Sequence, residues 1–408
     1  MRPTLQLTLL SFGAILLGSH LYVQHTLSRL TTGSSVENPR SQEYIAELEA
    51  NLNQLRSDNA SLRALIASDA PIELEAGLIS FVEKDLGLSF RTPQLALIRS
   101  DDALREAAGQ LWLGAFSEVG LEIRSYAYDV LGILPPNQNF IGQIIAAETT
   151  GAIGVYDHSS SEILLAPHYD SENIHHQAGL IRLLAIALLE QHAPLPNPLT
   201  DDQFFCYLAL HRGRASMLQD RFYAIQARNI GFVDSAATTE AQELFSALPP
   251  LVRFITTFPN QFGKDYLARL PDKQAIDLAI RSTYSSSKSI LLGSPSTETN
   301  FTPKEGDSVQ LSTQLGALTI KGFLAQLELS EQELTSSLKA YQNDSLTITT
   351  DGGKSATTTW TLNWNSAPAA ATFHQQAQEI ISSLPTPPAL EIDGMSVTLK
   401  VSEPLEAS

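Results

Sequence analysis

The sequence predicts an α+β fold, mainly helical, and three observations predict it. Apolar residues recur at helical spacing around Glu73 to Leu88, Ser100 to Val119, Gln177 to His192 and Phe204 to Ile225. Two apolar runs flank a polar turn between Gly151 and Ala166, the pattern of a β-hairpin. Beyond Pro303 the period falls to two: Leu346 to Thr350 and Thr357 to Trp364 alternate around Asp351-Gly352-Gly353, a second hairpin signal. With 408 residues, 43% of them hydrophobic and 17% charged, the chain can bury a full core and is long enough for two or three structural units.

The elements follow in chain order. From Leu5 to Val23 no side chain is more basic than His20, and no Lys or Arg stands between Arg2 and Arg29. That length suits a bilayer span, which needs ~20 apolar residues. Leu17-Gly18-Ser19 is a poor cleavage site for a signal peptide, so residues 1–28 are expected to be an uncleaved single-pass membrane anchor. Arg2 before the span places the bulk of the chain outside the cytoplasm, in the periplasm, by the positive-inside rule. Residues 29–40 form a linker. Over residues 41–70, Ile45, Leu48, Leu52, Leu55, Asn59, Leu62 and Ile66 alternate by threes and fours, an a/d seam with the polar Asn59 at an a position. Such a residue fixes register in two-stranded coiled coils, and Asp58 with Arg63 suits an interchain ion pair; a short coiled-coil stalk and a homodimer are expected.

Pro71 ends the stalk and opens a region expected to run over residues 71–302. The segment from Gln177 to His192 is apolar nearly all round yet too short to span a bilayer, so it reads as a buried core helix. Thr200-Asp-Asp-Gln203 fits a capping box, in which the Thr hydroxyl and the Gln side chain satisfy free backbone donors at the start of the next helix. Its stripe runs Phe204, Leu208, Ala215, Leu218, Phe222, Ile225. Pro194, Pro196 and Pro198 separate the two helices. Residues 303–408 are expected to form a smaller α+β lobe, with a helix over Ala367 to Leu384 and a last strand over Val397 to Val401.

Composition excludes several functions. A net charge of −18, from 44 acids against 26 bases, repels phosphate backbones, so nucleic acid is not expected as a partner. One cysteine, Cys206, excludes an internal disulfide and a Cys-based zinc site. No nucleotide-binding glycine loop is present, and no cofactor is expected.

Several segments, taken in order, resemble a prokaryotic zincin-like metallopeptidase family over most of residues 75 to 403. They are Gly154-Val-Tyr-Asp-His158 with Glu162-Ile-Leu-Leu165, Ala187-Leu-Leu-Glu-Gln-His192, Leu208-Ala-Leu-His-Arg-Gly-Arg-Ala215, Leu248-Pro-Pro-Leu-Val-Arg-Phe254, Phe258-Pro-Asn-Gln-Phe-Gly263, Tyr284-Ser-Ser-Ser-Lys-Ser-Ile-Leu291 and Leu362-Asn-Trp-Asn-Ser366. The resemblance implies a zincin-like domain whose β-hairpin precedes a metal helix, with H-E-x-x-H at Arg182 to Ile186. In that register the first imidazole falls at Arg182, the catalytic Glu at Leu183, the second imidazole at Ile186 and the third-ligand Glu at Arg212, followed by Gly213 and by Arg214 in place of an acid. Leu and Ile offer no lone pair, and a guanidinium repels a dication. The expectation is a degenerate, catalytically inactive member, a pseudopeptidase with a binding or scaffolding role. In such folds the strand beside the metal helix pairs with an extended peptide; here the candidate edge is Ala152 to Tyr156, with Ile153 and Val155, or Ile163 to Ala166, with Ile163 and Leu165. Arg182 or Arg212 is expected in the former metal cavity, paired with a carboxylate such as Glu190.

Two other readings stand beside it. An active metal-dependent hydrolase would use a displaced site built from His168, His175 and His176 near Asp170, although neighbouring imidazoles on a helix diverge by about 100°. A structural coiled-coil envelope protein would need no ligand. His211, on the apolar stripe of its helix, is expected to be a hydrogen-bonded core histidine, and Ser285-Ser-Ser-Lys288 a loop.

Overall fold

A computed structural model describes residues 71–404 apart from 137, 196–199, 227–241, 282–285, 294–300 and 352–354; the expected anchor (1–28), linker (29–40) and coiled-coil seam (Ile45 to Ile66) lie outside the described residues. Among the described residues no helix is long and apolar enough to cross a membrane. They belong to one compact unit and form an α+β fold, mainly helical.

Helix α1 (Ala76–Leu86) ends at Gly87, whose left-handed φ of 70° closes the last turn. Strand β1 (Ala96–Ile98) leads to α2 (Asp101–Phe116), where Ser100 caps the first turn by accepting from the Ala103 N–H. After α3 (Glu118–Val130) and α4 (Phe140–Thr149) comes the expected hairpin, β2 (Gly154–Asp157) and β3 (Glu162–Leu165). Its turn is tied by Asp157, whose carboxylate accepts from the Ser159 N–H and from the Ser159 and Ser160 hydroxyls. Strand order is β1-β3-β2, with β1 parallel and β2 antiparallel to β3.

Helices α5 (Ile174–His192) and α6 (Asp201–Gln226) pack against each other and carry the core of this half. Ten residues of α5 between Ala178 and Leu189 are buried, as its all-round apolar sequence requires. The expected capping box opens α6: the Thr200 hydroxyl accepts from the Gln203 N–H while the Gln203 side chain accepts from the Thr200 N–H, both at 3.2 Å. The α6 stripe is buried through Phe222, and only Ile225 at its end is exposed. Trp112 of α2 meets Phe204 of α6 edge to face at 4.9 Å, with Phe116, Phe140 and Phe205 around it. Cys206, on the same helix, is buried as well.

Helix α7 (Pro250–Thr257) runs into a π-helical turn (Phe258–Gly263), then α8 (Lys264–Ala268), α9 (Lys273–Arg281) and α10 (Ser287–Leu292). The second sheet holds β4 (Val309–Thr313), β5 (Tyr341–Thr350), β6 (Ser355–Trp364), β7 (Ala389–Asp393) and β8 (Ser396–Pro404), in the order β4-β5-β6-β8-β7 and antiparallel throughout. Helices α11 (Gly316–Leu324), α12 (Glu331–Ala340) and α13 (Ala367–Ile381) complete it, with Phe323, Trp360, Trp364 and Phe373 as the aromatic core. At its heart Asp344 accepts from the Tyr341 hydroxyl, the Trp360 indole and the Leu315 and Gly316 N–H groups; burial nonetheless holds its pKa above the usual carboxylate range.

The start of α6 ties the two halves together. Asp201 accepts from Arg124 Nε at 2.9 Å, the Tyr128 hydroxyl at 3.2 Å and the Thr313 hydroxyl at 2.7 Å, and Asp202 accepts from the Ser287 hydroxyl and N–H. The line between residues 302 and 303 therefore crosses a packed, hydrogen-bonded region.

Candidate functional site

Strand β2 is the outer strand of its sheet, and its hydrogen-bond phase decides what it offers. Ile163 N–H donates to the Leu95 carbonyl and Leu165 C=O accepts from Arg99 N–H, both at 2.9 Å, so these β3 residues turn their backbone toward β1. Ala166 N–H donates to Ile153 C=O at 2.8 Å on the other side. Alternation then turns Ile153, Val155 and Asp157 toward β3 and the backbone groups of Gly154 and Tyr156 toward the outer edge of the sheet, where both residues are buried. The expectation that Ile163 and Leu165 offer an edge is corrected: the three-residue β1 pairs with them and places β3 at the centre of the sheet. Ile153 and Val155 remain on the edge strand.

Where the start of β2, α5 and α6 meet lies a cavity of about 420 Å³, lined by Ala152, Ile153 and Gly154, by Gly179, Arg182 and Leu183 of α5, and by Ser216, Asn260 and Lys264 opposite. Its size falls in the range of roughly 300–1,000 Å³ common for ligand sites. Close packing sets its walls. A Cβ at Gly179 would stand 2.6 Å from Ile153 Cγ1, so the glycine lets α5 approach β2. Gly213 and Gly263 do the same for α6 and the π-helical turn: a Cβ at Gly213 would meet the Gly263 carbonyl carbon at 2.7 Å, and one at Gly263 the Ala209 oxygen at 2.0 Å. That contact holds Asn260 and Lys264 over the cavity.

Within it, Arg182 Nη2 donates to Asn260 Oδ1 at 3.0 Å, and the Ser216 hydroxyl donates to the same oxygen at 3.1 Å. Loss of water around the half-buried guanidinium, and then the neighbouring Arg212 cation, draw the Arg182 pKa down to about 10 against the opposing pull of Glu148. Arg212 Nη1 pairs with Glu148 Oε1 at the end of α4. The carboxylate at the arginines is thus Glu148, correcting the expected Glu190. Glu190 instead accepts from the Tyr207 hydroxyl and lies 3.4 Å from His158 Nδ1. Leu183 and Ile186 are buried among the apolar residues of α5, and Arg214 pairs with Asp85.

His211 departs from expectation in one respect. It is buried and lies against Tyr207 with ring centroids 4.1 Å apart, but neither ring nitrogen has a hydrogen-bond partner among the described residues. Burial pushes its pKa down to about 4, so the ring is neutral at neutral pH.

The His168, His175 and His176 group is divided by the first turn of α5. His176 Nδ1 accepts from the Asp170 N–H and its ring faces His168 at 5.7 Å, whereas His175 turns to the Tyr223 hydroxyl. Among the described residues no three His, Cys, Asp or Glu side chains converge as a metal site. Lys288 donates to the Tyr341 carbonyl. Glu148, Ser216 and Asn260 had no assigned role in the sequence; Glu148 lies 64 positions from its partner, and no local pattern marks it.

No family model, curated protein or solved structure matches the chain. The zincin likeness therefore rests on this chain's own residues.

Proposed function

We propose that this chain is a pseudopeptidase: a zincin-like scaffold that has lost hydrolysis and captures an extended peptide by strand addition to β2. One observation carries the reading. The start of the outer strand β2, at Ala152 to Gly154, lines the same cavity as Arg182 and Leu183, the positions the resemblance gives to the first imidazole and the catalytic Glu. Gly154 and Tyr156 are buried in the chain alone, so a peptide backbone would pair with the groups β3 does not bond by displacing what covers them. The local charge opposes a dication, because two guanidiniums face one carboxylate already engaged by Arg212. The apolar run at 5–23 and the seam from Ile45 to Ile66 support a membrane-anchored, extracytoplasmic and dimeric setting for that capture.

The test has two readouts on the purified chain. Elemental analysis after dialysis without chelator is expected to find zinc far below one per chain, with no chelator-sensitive cleavage of casein. Amide exchange at Gly154 and Tyr156 is expected to slow when a random heptapeptide library is added. One zinc per chain with chelator-sensitive proteolysis would overturn the inactive reading, and unchanged exchange at both amides would overturn strand capture.

A further inference from the structure

A second cavity, of about 330 Å³, lies on the five-stranded sheet and shares no lining residue with the first. Asn343, Ser345 and Thr347 alternate along β5 and so share one face of it, with Ser312 of β4 opposite Thr347. Helix α13 packs on the other face, where Phe373 meets Trp364 with ring centroids 4.7 Å apart. Gln314, just beyond β4, lines the cavity as well. Its main chain is fixed, because its carbonyl accepts from the Asp202 N–H and the next N–H, of Leu315, donates to Asp344, both at 3.0 Å. Its side chain is buried, yet Nε2 has no hydrogen-bond partner. A buried amide donor left unpaired is uncommon in a folded chain and calls for an acceptor. The Ser345 and Thr347 hydroxyls also lack a partner among the described residues, and each can both donate and accept.

The chemistry of the lining narrows the ligand. The one cation among the described lining residues is Lys304, which is exposed, so no buried charge awaits an anion. Asp344 attracts no cation either, because each of its oxygens already accepts from two donors. Phe301 is the one apolar side chain of that lining, too little to receive the side chains of a peptide. What remains is a neutral set of hydroxyl and amide groups beside one aromatic ring, in a space within the roughly 300–1,000 Å³ of small-molecule sites. We propose that this cavity binds a neutral saccharide. Sugar oxygens accept from Gln314 Nε2 and exchange hydrogen bonds with Ser345 and Thr347, while the C–H face of a ring lies against Phe301. Binding here is independent of strand capture at β2.

The experiment titrates cellotriose, maltotriose and tri-N-acetylchitotriose into the full chain, held in a detergent without sugar head groups, and follows saturation-transfer NMR. At least one of the three is expected to bind. Trigalacturonate, an anionic saccharide, and N-acetyl-triserine amide, a peptide, are then scored by whether they displace it, so that a peptide held at β2 is not counted. Neither should do so at equal concentration. Ser345→Ala with Thr347→Val removes two hydroxyls while keeping the strand, and should weaken the trisaccharide by at least about tenfold, as the loss of two neutral hydrogen bonds implies. Gln314→Met, close in volume, removes the amide donor and should weaken it by several fold. No transfer to any neutral trisaccharide, or displacement by either comparison probe, would overturn the saccharide assignment; both are read on the unmodified chain, where folding of a variant is not in question. Binding unchanged in the folded variants would overturn its placement in this cavity.

Discussion

Glu148 is the carboxylate that Arg212 pairs with and that also acts on Arg182, and Glu148→Gln tests how far both depend on it. The substitution keeps the shape and a hydrogen-bond acceptor but leaves Arg212 and Arg182 facing each other with no carboxylate between them. Breaking a buried pair from one side costs roughly 3–5 kcal/mol. The Arg212 and Glu148 side chains are 14% and 16% exposed, so some water reaches them, and about 2–3 kcal/mol is expected instead. Unfolding entropy of ~2.1 cal/mol/K per residue over the compact unit from Asp69 to Ser408 gives about 0.7 kcal/mol/K, so Tm should fall by about 3–4 °C. Differential scanning calorimetry at low and high salt is the assay, and added salt should change the difference little because the charges are largely shielded from solvent. Removing the second cation as well, in Glu148→Gln with Arg182→Met, should restore part of the loss. An unchanged Tm for Glu148→Gln, or a double variant whose loss is the plain sum of the singles, would refute the claim that one carboxylate serves both arginines.

Other consequences are open to direct measurement. His211 is a base whose folded pKa, about 4, lies below its ordinary value of 6.5, so its contribution is fully present above pH 6.5 and is lost as pH falls toward 4. Urea melts from pH 7 to 4.5 should show stability falling by about 2–3 kcal/mol from this group, and His211→Phe should flatten that slope; parallel slopes would sink the assignment. Gly263→Ala should cost at least about 3 kcal/mol, because the new methyl meets the Ala209 carbonyl oxygen of the neighbouring helix at 2.0 Å rather than a movable side chain. Gly114→Ala, with open space around the new atom in the last turn of α2, is the control and should gain up to roughly 0.5–1 kcal/mol in the same thermal melts.

Much of the fold was legible because its signals are local. The capping box at Thr200, the paired strands that flank Asp351 and the all-round apolar run of α5 each depend on residues within a few positions of one another, and each is in place. The start of α5 moved from Gln177 to Ile174 because Asn173 accepts from the His175 N–H and caps the helix earlier than its apolar pattern begins. What failed was non-local. Ala96–Ile98 is too short to show a period, yet by pairing in parallel with β3 it decides which strand of the hairpin is the edge. The engagement of Arg212 by Glu148, and of Glu190 by Tyr207, follows from how α4, α5 and α6 cross. Charge alone gives no preference between two glutamates at such separations, so the arginines could be read as cavity residues while their counter-ion could not.

The four positions that the proposed register assigns to a metal site fall into two kinds, and the difference yields the sharpest test of the zincin likeness. Leu183 and Ile186, 4% and 6% exposed, belong to the apolar belt that α5 presents. Arg182 and Arg212 stay polar, one held by Asn260 and the other by Glu148. If the register is right, the helices still stand at the spacing of a metal site, since positions 182 and 186 lie one turn apart on one face of α5 and Arg212 is close enough to Arg182 to depress its pKa. Arg182→His, Leu183→Glu, Ile186→His and Arg212→Glu together should then create a His₂Glu site, with Glu148→Gln added to remove a carboxylate that would lose its partner. The expected result is about one zinc per chain after dialysis and a rise in Tm on adding zinc that the unmodified chain does not show. Burying new ionisable groups will lower stability without metal, so the comparison is made on protein with a cooperative melt. A folded variant that holds no more zinc than the unmodified chain would mean that these residues are not the remains of a metal centre, and the arginines would then need an origin other than a lost peptidase.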